Sequence, residues 1–138
     1  MDIQPYDPWT DLAARHPKIT LGQRDLPGDA FAEWEGTTLY LDSKLAAGEA
    51  RSTLAQEIVH LDDPDIDVKE AEQVTARRLI AFDTLALEAG LLIQDRLGAL
   101  ADRLEVATLA VVTRLRGLSQ AERSLLMARL VEALPSPA

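Results

Sequence analysis

The stretch TLAQEIVHLDD, residues 53–63, decides how the rest of the chain is read. Its apolar residues Leu54, Ile58 and Leu61 recur at i, i+4 and i+7, which is one face of a helix. Gln56, Glu57 and His60 stand on another side of that helix. The letters QEIVH are one histidine short of HExxH. In that motif two imidazoles one turn apart hold a zinc ion, and the glutamate takes a proton from metal-bound water. Here the second imidazole, His60, and the carboxylate, Glu57, are present, and Gln56 occupies the first ligand position. A neutral glutamine amide is a poor zinc ligand beside an imidazole. A merely polar helix face has the same letters, so the surroundings must decide.

Working outward, the helix starts near residue 47 and is stopped by Asp62-Asp63-Pro64. A second helix is expected over about 68–87, with Val68, Ala71, Val74 and Leu79 turned inward. Upstream, Thr38, Tyr40 and Asp42 alternate with Leu39 and Leu41, the period of a half-buried strand. Glu35-Gly36 separates that strand from Phe31-Ala32-Glu33-Trp34, so the segment predicts a hairpin. Trp34 and Tyr40 are expected to serve it by covering a helix. Residues 18–29, KITLGQRDLPGD, read as irregular, and residues 7–16 as a short helix stopped by Pro17. His16 is expected on the surface, far from the motif.

Residues 91–134 read as helical, punctuated by Gly98, the Leu104-Glu105-Val106 corner and Gly117. Ser119 followed by Glu122 three residues later makes a capping box. The segment 100–115 has the outline of a helix-turn-helix, an outline shared by any two short helices packed for stability. Leu125, Leu126, Leu130, Val131 and Leu134 make an apolar face that either completes the core or pairs two copies as a homodimer.

The 138 residues suffice for one domain. The expectation is an α+β domain, mostly helical with a small hairpin or sheet, over residues 1–134. Its core is 31–90, its C-terminal helical part 91–134, and 135–138 a disordered tail. Hydrophobic residues at 47% and charged residues at 27% are ordinary for a globular chain. The absence of cysteine excludes disulfides and thiolate chemistry. The first residues, MDIQPYDPWTDLAARH, are acidic and proline-broken, unlike a signal peptide, and no apolar run approaches a membrane span. A cytoplasmic protein is expected. A net charge of −9 argues against nucleic acid, since Asp102 and Glu105 offset Arg103, Arg114 and Arg116.

Three stretches together resemble the ImmA/IrrE family of zincin-like proteins, especially its short actinobacterial and actinophage members. TTLYLDSKLAAGEARSTLAQEIVHLD is similar to the family's strand, its leucine-aspartate exit and its TLAHExxH helix. EAEQVTARRLI is similar to the second helix, and LADRLEVATLAVVTRLRGLSQAERSLL to the C-terminal helices. The resemblance covers about 31–130. It implies a zincin-like fold, and for active members a zinc ion held by both histidines and an acid from the second helix.

Carried over residue by residue, the resemblance makes Glu57 the general base and His60 a zinc ligand, while Gln56 replaces a ligand. The acid falls at Val68, with Asp67 beside it and Glu72 one turn on as the substitute. With Gln56, His60 and Glu72 as a relict metal site, no zinc cofactor is expected, although a functional site would bind zinc. Active members of the family cut helix-turn-helix repressors and often belong to mobile elements and phages. The implied function is therefore a pseudoenzyme: a non-catalytic regulatory protein that binds a repressor-like protein partner. Two other classes remain. One is a zinc metallopeptidase using His60, Glu72 and Gln56; the other is a DNA-binding protein using 100–115.

Overall fold

The computed structural model describes residues 5–93 and 96–134; the tail expected to be disordered, 135–138, lies outside the described residues. The protein is α+β, eight helices and one small sheet among the described residues. Helix α1 spans Pro8–Arg15. Asp7 caps it, its carboxylate accepting from the Trp9 and Thr10 amides, and Pro8 fits the first helical position, where no N–H is needed.

The predicted hairpin forms. Strand β2, Ala32–Glu35, pairs antiparallel with β3, Thr38–Asp42, with Trp34 opposite Leu39. Gly36 makes the turn at φ 63°, a conformation that L side chains rarely adopt. Two features of this region depart from expectation. Residues 20–24, read as irregular, form strand β1, Thr20–Arg24, and it pairs parallel with β3. The sheet order is therefore β1-β3-β2, which makes β3 the central strand. Tyr40 does not cover a helix either. Its ring lies under the Arg24 guanidinium at 3.9 Å and against Gly22, where an added Cβ would come within 2.9 Å of the ring.

Helix α2, Ala47–Asp62, holds the domain together. Leu54 and Ile58 pack with Leu12, Leu39 and Leu41 into a core between the helix and the sheet. Ala55, on another side of α2, belongs to a second and larger core with Leu79, Ile80, Leu85, Leu100 and Val111. α2 is thus buried on two sides, more than its single apolar stripe suggests.

The second long helix is interrupted. Helix α3 spans Val68–Leu79, the chain is extended at Ile80, and α4 follows as Phe82–Leu87. Two buried arginines account for the break. Arg114 donates to the Ile80 carbonyl at 2.9 Å and Arg51 reaches the Leu79 carbonyl at 3.5 Å, so guanidinium donors replace the next helical turn. Val68, expected inward, begins α3 and is exposed, whereas Ala71 and Leu79 are buried.

Helices α5, Ala89–Ile93, and α6, Leu97–Leu104, lead to the expected corner, and α7 spans Thr108–Arg116. Gly98 lies within α6 and does not break it. Glu105 closes α6 in the left-handed region at φ 53°. Helix α8, Gln120–Ala133, begins at the predicted capping box, in which Ser119 and Glu122 bond each other's amides. Of its apolar face only Leu126 is buried and Leu130 half-buried; Leu125, Val131 and Leu134 are exposed. No described helix is long and apolar enough to cross a membrane.

His16 is not remote from the motif helix. Its Nε2 lies 2.8 Å from an oxygen of Asp62, the last residue of α2. Arg15 also donates to Asp62 and to Asp11, and Arg78 of α3 donates to Asp62 at 3.3 Å. This network ties α1 to the ends of α2 and α3. The Arg15 hydrogen bond, helped by the Tyr6 hydroxyl, holds the Asp11 carboxyl at about 2. At Asp62 burial opposes ionisation, but the bonds from Arg15, His16 and Arg78 prevail and lower its pKa. A carboxyl depressed in the folded chain contributes stability above its unfolded pKa of ~3.9. That contribution is lost as pH falls through the folded value. The urea midpoint is therefore expected to drop between about pH 4 and pH 2. In Asp11→Asn it should start lower at neutral pH and fall less on acidification; a variant with an unchanged acid limb would assign the loss to other carboxylates.

Candidate functional site

The residues singled out in the sequence separate into two groups. Gln56 of α2 and Glu72 of α3 both line a cavity of about 210 Å³ between α2, α3 and the start of α7. Their helices pack side by side across the short loop at 63–67, which brings Gln56, nearly two turns before the loop, to the same cavity as Glu72, little more than one turn after it. The remaining walls join the apolar Phe31, Ala76, Ala107, Leu109 and Ala110 with the hydroxyl-bearing Ser52, Thr53, Thr75 and Thr113, and most of the surface they present is apolar.

Glu57 and His60 do not line this cavity. Glu57 is engaged from the sheet side, where the Trp34 indole Nε1 donates to its Oε2 at 3.0 Å. The role expected of Trp34, covering the helix, is thereby made specific: it fastens the hairpin to the carboxylate of the motif. His60 is half-buried. Among the described residues no group of three His, Cys, Asp or Glu side chains lies close enough to hold a metal ion. The donors themselves fit zinc poorly. Gln56 offers only a neutral oxygen, and it shares the cavity with Glu72 but not with His60. Asp67 precedes α3 as its N-cap residue, and neither it nor Val68 lines the cavity.

Sequence reasoning missed Phe31 and Leu109 as cavity residues. Both are exposed large hydrophobics, 45% and 64% accessible. Their signal, an apolar side chain with no core position in its own element's periodicity, becomes visible only once the partners of each face are known.

The helix-turn-helix outline of 100–115 is realised as α6, the Glu105 corner and α7. Its arginines are otherwise engaged. Arg114 is buried and bonds both the Ile80 carbonyl and Glu122, and Arg103 pairs with Glu88 at 2.8 Å. Two of the three cations that would meet a phosphate backbone therefore act within the fold.

Comparison with protein-family models, curated proteins and solved structures returned no match to this chain.

Proposed function

We propose that this chain is a non-catalytic, ImmA/IrrE-like regulatory protein of a phage or mobile element. It acts by holding a protein partner, of the helix-turn-helix repressor kind that the resemblance implies, in the cleft between α2, α3 and α7. One observation carries the reading. The cavity contains Gln56 and Glu72 among mostly apolar walls and leaves Glu57 and His60 outside. A hydrolase would need base, metal ligands and bound substrate within reach of one reacting atom. A binding protein needs only the shaped, mostly apolar cleft and exposed anchors such as Phe31 and Leu109.

The test separates binding from chemistry. Partners are captured from host cells with the wild type, with Glu57→Gln and with Leu109→Ser, and each captured protein is then assayed for cleavage. Glu57→Gln keeps side-chain size, and capture by it is expected to match the wild type, with no cleavage by either. Leu109→Ser, exposed and outside the core, should lose capture without loss of folding. A captured protein cut by the wild type and spared by Glu57→Gln, with a rate difference of the ~10²–10⁴-fold that proton transfer contributes, would overturn the proposal.

A further inference from the structure

The cavity beside Gln56 does not end at Leu109. A second cavity of about 650 Å³ adjoins it, walled by the start of α2 and the α6–α7 corner, including Ala47, Gly48 and Val106. Phe31, Ala107 and Leu109 line both, so the two form one continuous groove. Among the described residues every charged side chain lining it is acidic. Glu72 stands in the first part; Glu49, Asp102 and Glu105 stand in the second. Among the described residues none of these four forms an ion pair.

Glu105 is held there against local preference. Its φ of 53° suits glycine or asparagine better, and a carboxylate at the C-terminal end of α6 faces the negative end of the helix dipole. The groove thus combines apolar anchors with carboxylates that form no ion pair among the described residues; of these, Glu105 feels the charge of the buried Arg51 and Glu49 accepts from the Ala46 amide, while Glu72 and Asp102 have neither. Like charges collected around an apolar cleft focus the field and select the opposite charge.

We propose that this groove takes a cationic segment of a protein partner. Aliphatic or aromatic side chains of the segment seat against Phe31 and Leu109, and its lysines or arginines meet Glu72, Glu49, Asp102 and Glu105. This rests on the reading of the cleft as a partner site, and it adds the partner's chemistry. The groove between α4 and α8, which mixes Asp83, Arg129 and Glu132 around Leu87 and Leu125, shows no such bias.

The test uses the full chain and three short fluorescein-labelled peptides of one pattern, read by fluorescence anisotropy. One carries leucine and arginine, the second has glutamate for each arginine, and the third has serine for each leucine. The groove variant is Asp102→Lys with Glu105→Lys. The control, Asp65→Lys with Asp83→Lys, makes the same change in net charge away from the groove. The leucine–arginine peptide is expected to bind best. The groove variant should weaken it by about tenfold and the control by under about twofold, a gap that closes near ~0.5 M salt. Glu72→Gln, which only removes a charge, should weaken it in the same direction and guards against misfolding of the double variant. Equal weakening by groove and control variants would overturn the proposal, reducing it to attraction by an acidic protein. If the glutamate peptide binds as well and Leu109→Ser abolishes its binding, the cleft reading survives and the cationic preference falls. If Leu109→Ser changes binding of none of the peptides, both fall.

Discussion

Replacing Arg51 by methionine is expected to destabilise the protein by about 3–5 kcal/mol, the largest effect of any single substitution considered. Arg51 lies in α2 and is only 8% exposed, yet among the described residues its guanidinium has no carboxylate partner in hydrogen-bond contact. It donates to main-chain carbonyls: Leu104 at 3.0 Å, Glu105 at 3.1 Å, Tyr6 at 2.8 Å and, more weakly, Leu79 at 3.5 Å. Three of these carbonyls belong to helix ends, where no amide of the next turn is available to meet them. The planar guanidinium with its fan of donors gathers the ends of α3 and α6 and the segment before α1 onto one point of α2.

Burial pushes the Arg51 pKa down, against the pull of Glu105 and Asp7, so the charge is held there at a cost. Methionine removes that cost but strands the carbonyls in a dry site, at roughly 1–3 kcal/mol for each one that water cannot reach. With a total stability of ~5–15 kcal/mol, the variant would sit close to the threshold of folding. Urea unfolding at neutral pH measures this directly. Arg51→Lys, a point charge with three donors on one nitrogen, should recover less than half of the loss. A methionine variant within ~1 kcal/mol of the wild type would mean that water takes over the carbonyls.

Local elements of this fold are legible in the sequence because their signals are local. The 3.6-residue stripe of Leu54 and Ile58, the two-residue alternation of β3, the Gly36 turn and the Ser119–Glu122 box each fit within one element. What stayed hidden depends on residues far along the chain. TLGQR carries little alternation, and it is a strand because β3 pairs with it in register, Thr20 against Thr38. Its Gly22, a poor strand residue alone, makes room for the Tyr40 ring. The break at Ile80 depends on Arg114, which lies four helices further on, in α7, and is itself buried.

The candidate site divides in the same way. That Gln56 and Glu72 line one cavity follows from two helices joined by a short loop, while Glu72 is singled out by the resemblance, through the acid of the family's second helix. That Glu57 is taken by Trp34 depends on how the hairpin docks on α2. That Phe31 and Leu109 meet across a groove depends on where α7 lands. Neither arrangement is encoded within a window.

The second large effect concerns Gly48, near the start of α2. In a helix, glycine to alanine ordinarily stabilises by up to ~1 kcal/mol, because alanine restricts the unfolded chain and favours helical dihedrals. Here the sign should reverse. A Cβ at Gly48 would lie 2.8 Å from both the backbone nitrogen and the backbone oxygen of Val106. Those atoms have little freedom to move. The Val106 amide donates to the Ala101 carbonyl at 3.0 Å, its side chain is buried, and the next amide, of Ala107, is held by the Ser52 hydroxyl at 2.9 Å. Gly48→Ala must therefore push α2 off the α6–α7 corner, for a net loss of about 1–3 kcal/mol. Gly98 supplies the internal control, since it sits equally early in α6 and an added Cβ would meet nothing within 4 Å. Gly98→Ala should be neutral or stabilising by up to ~1 kcal/mol. The difference between the two urea midpoints isolates the Val106 contact from helix propensity, which both substitutions share. Gly48 also lines the acidic half of the groove, so its alanine variant should weaken the leucine–arginine peptide as well, while Gly98→Ala leaves it unchanged. Equal responses at the two glycines would mean that α2 and the corner approach each other less closely than 2.8 Å requires, and the groove between them would lose its defined width.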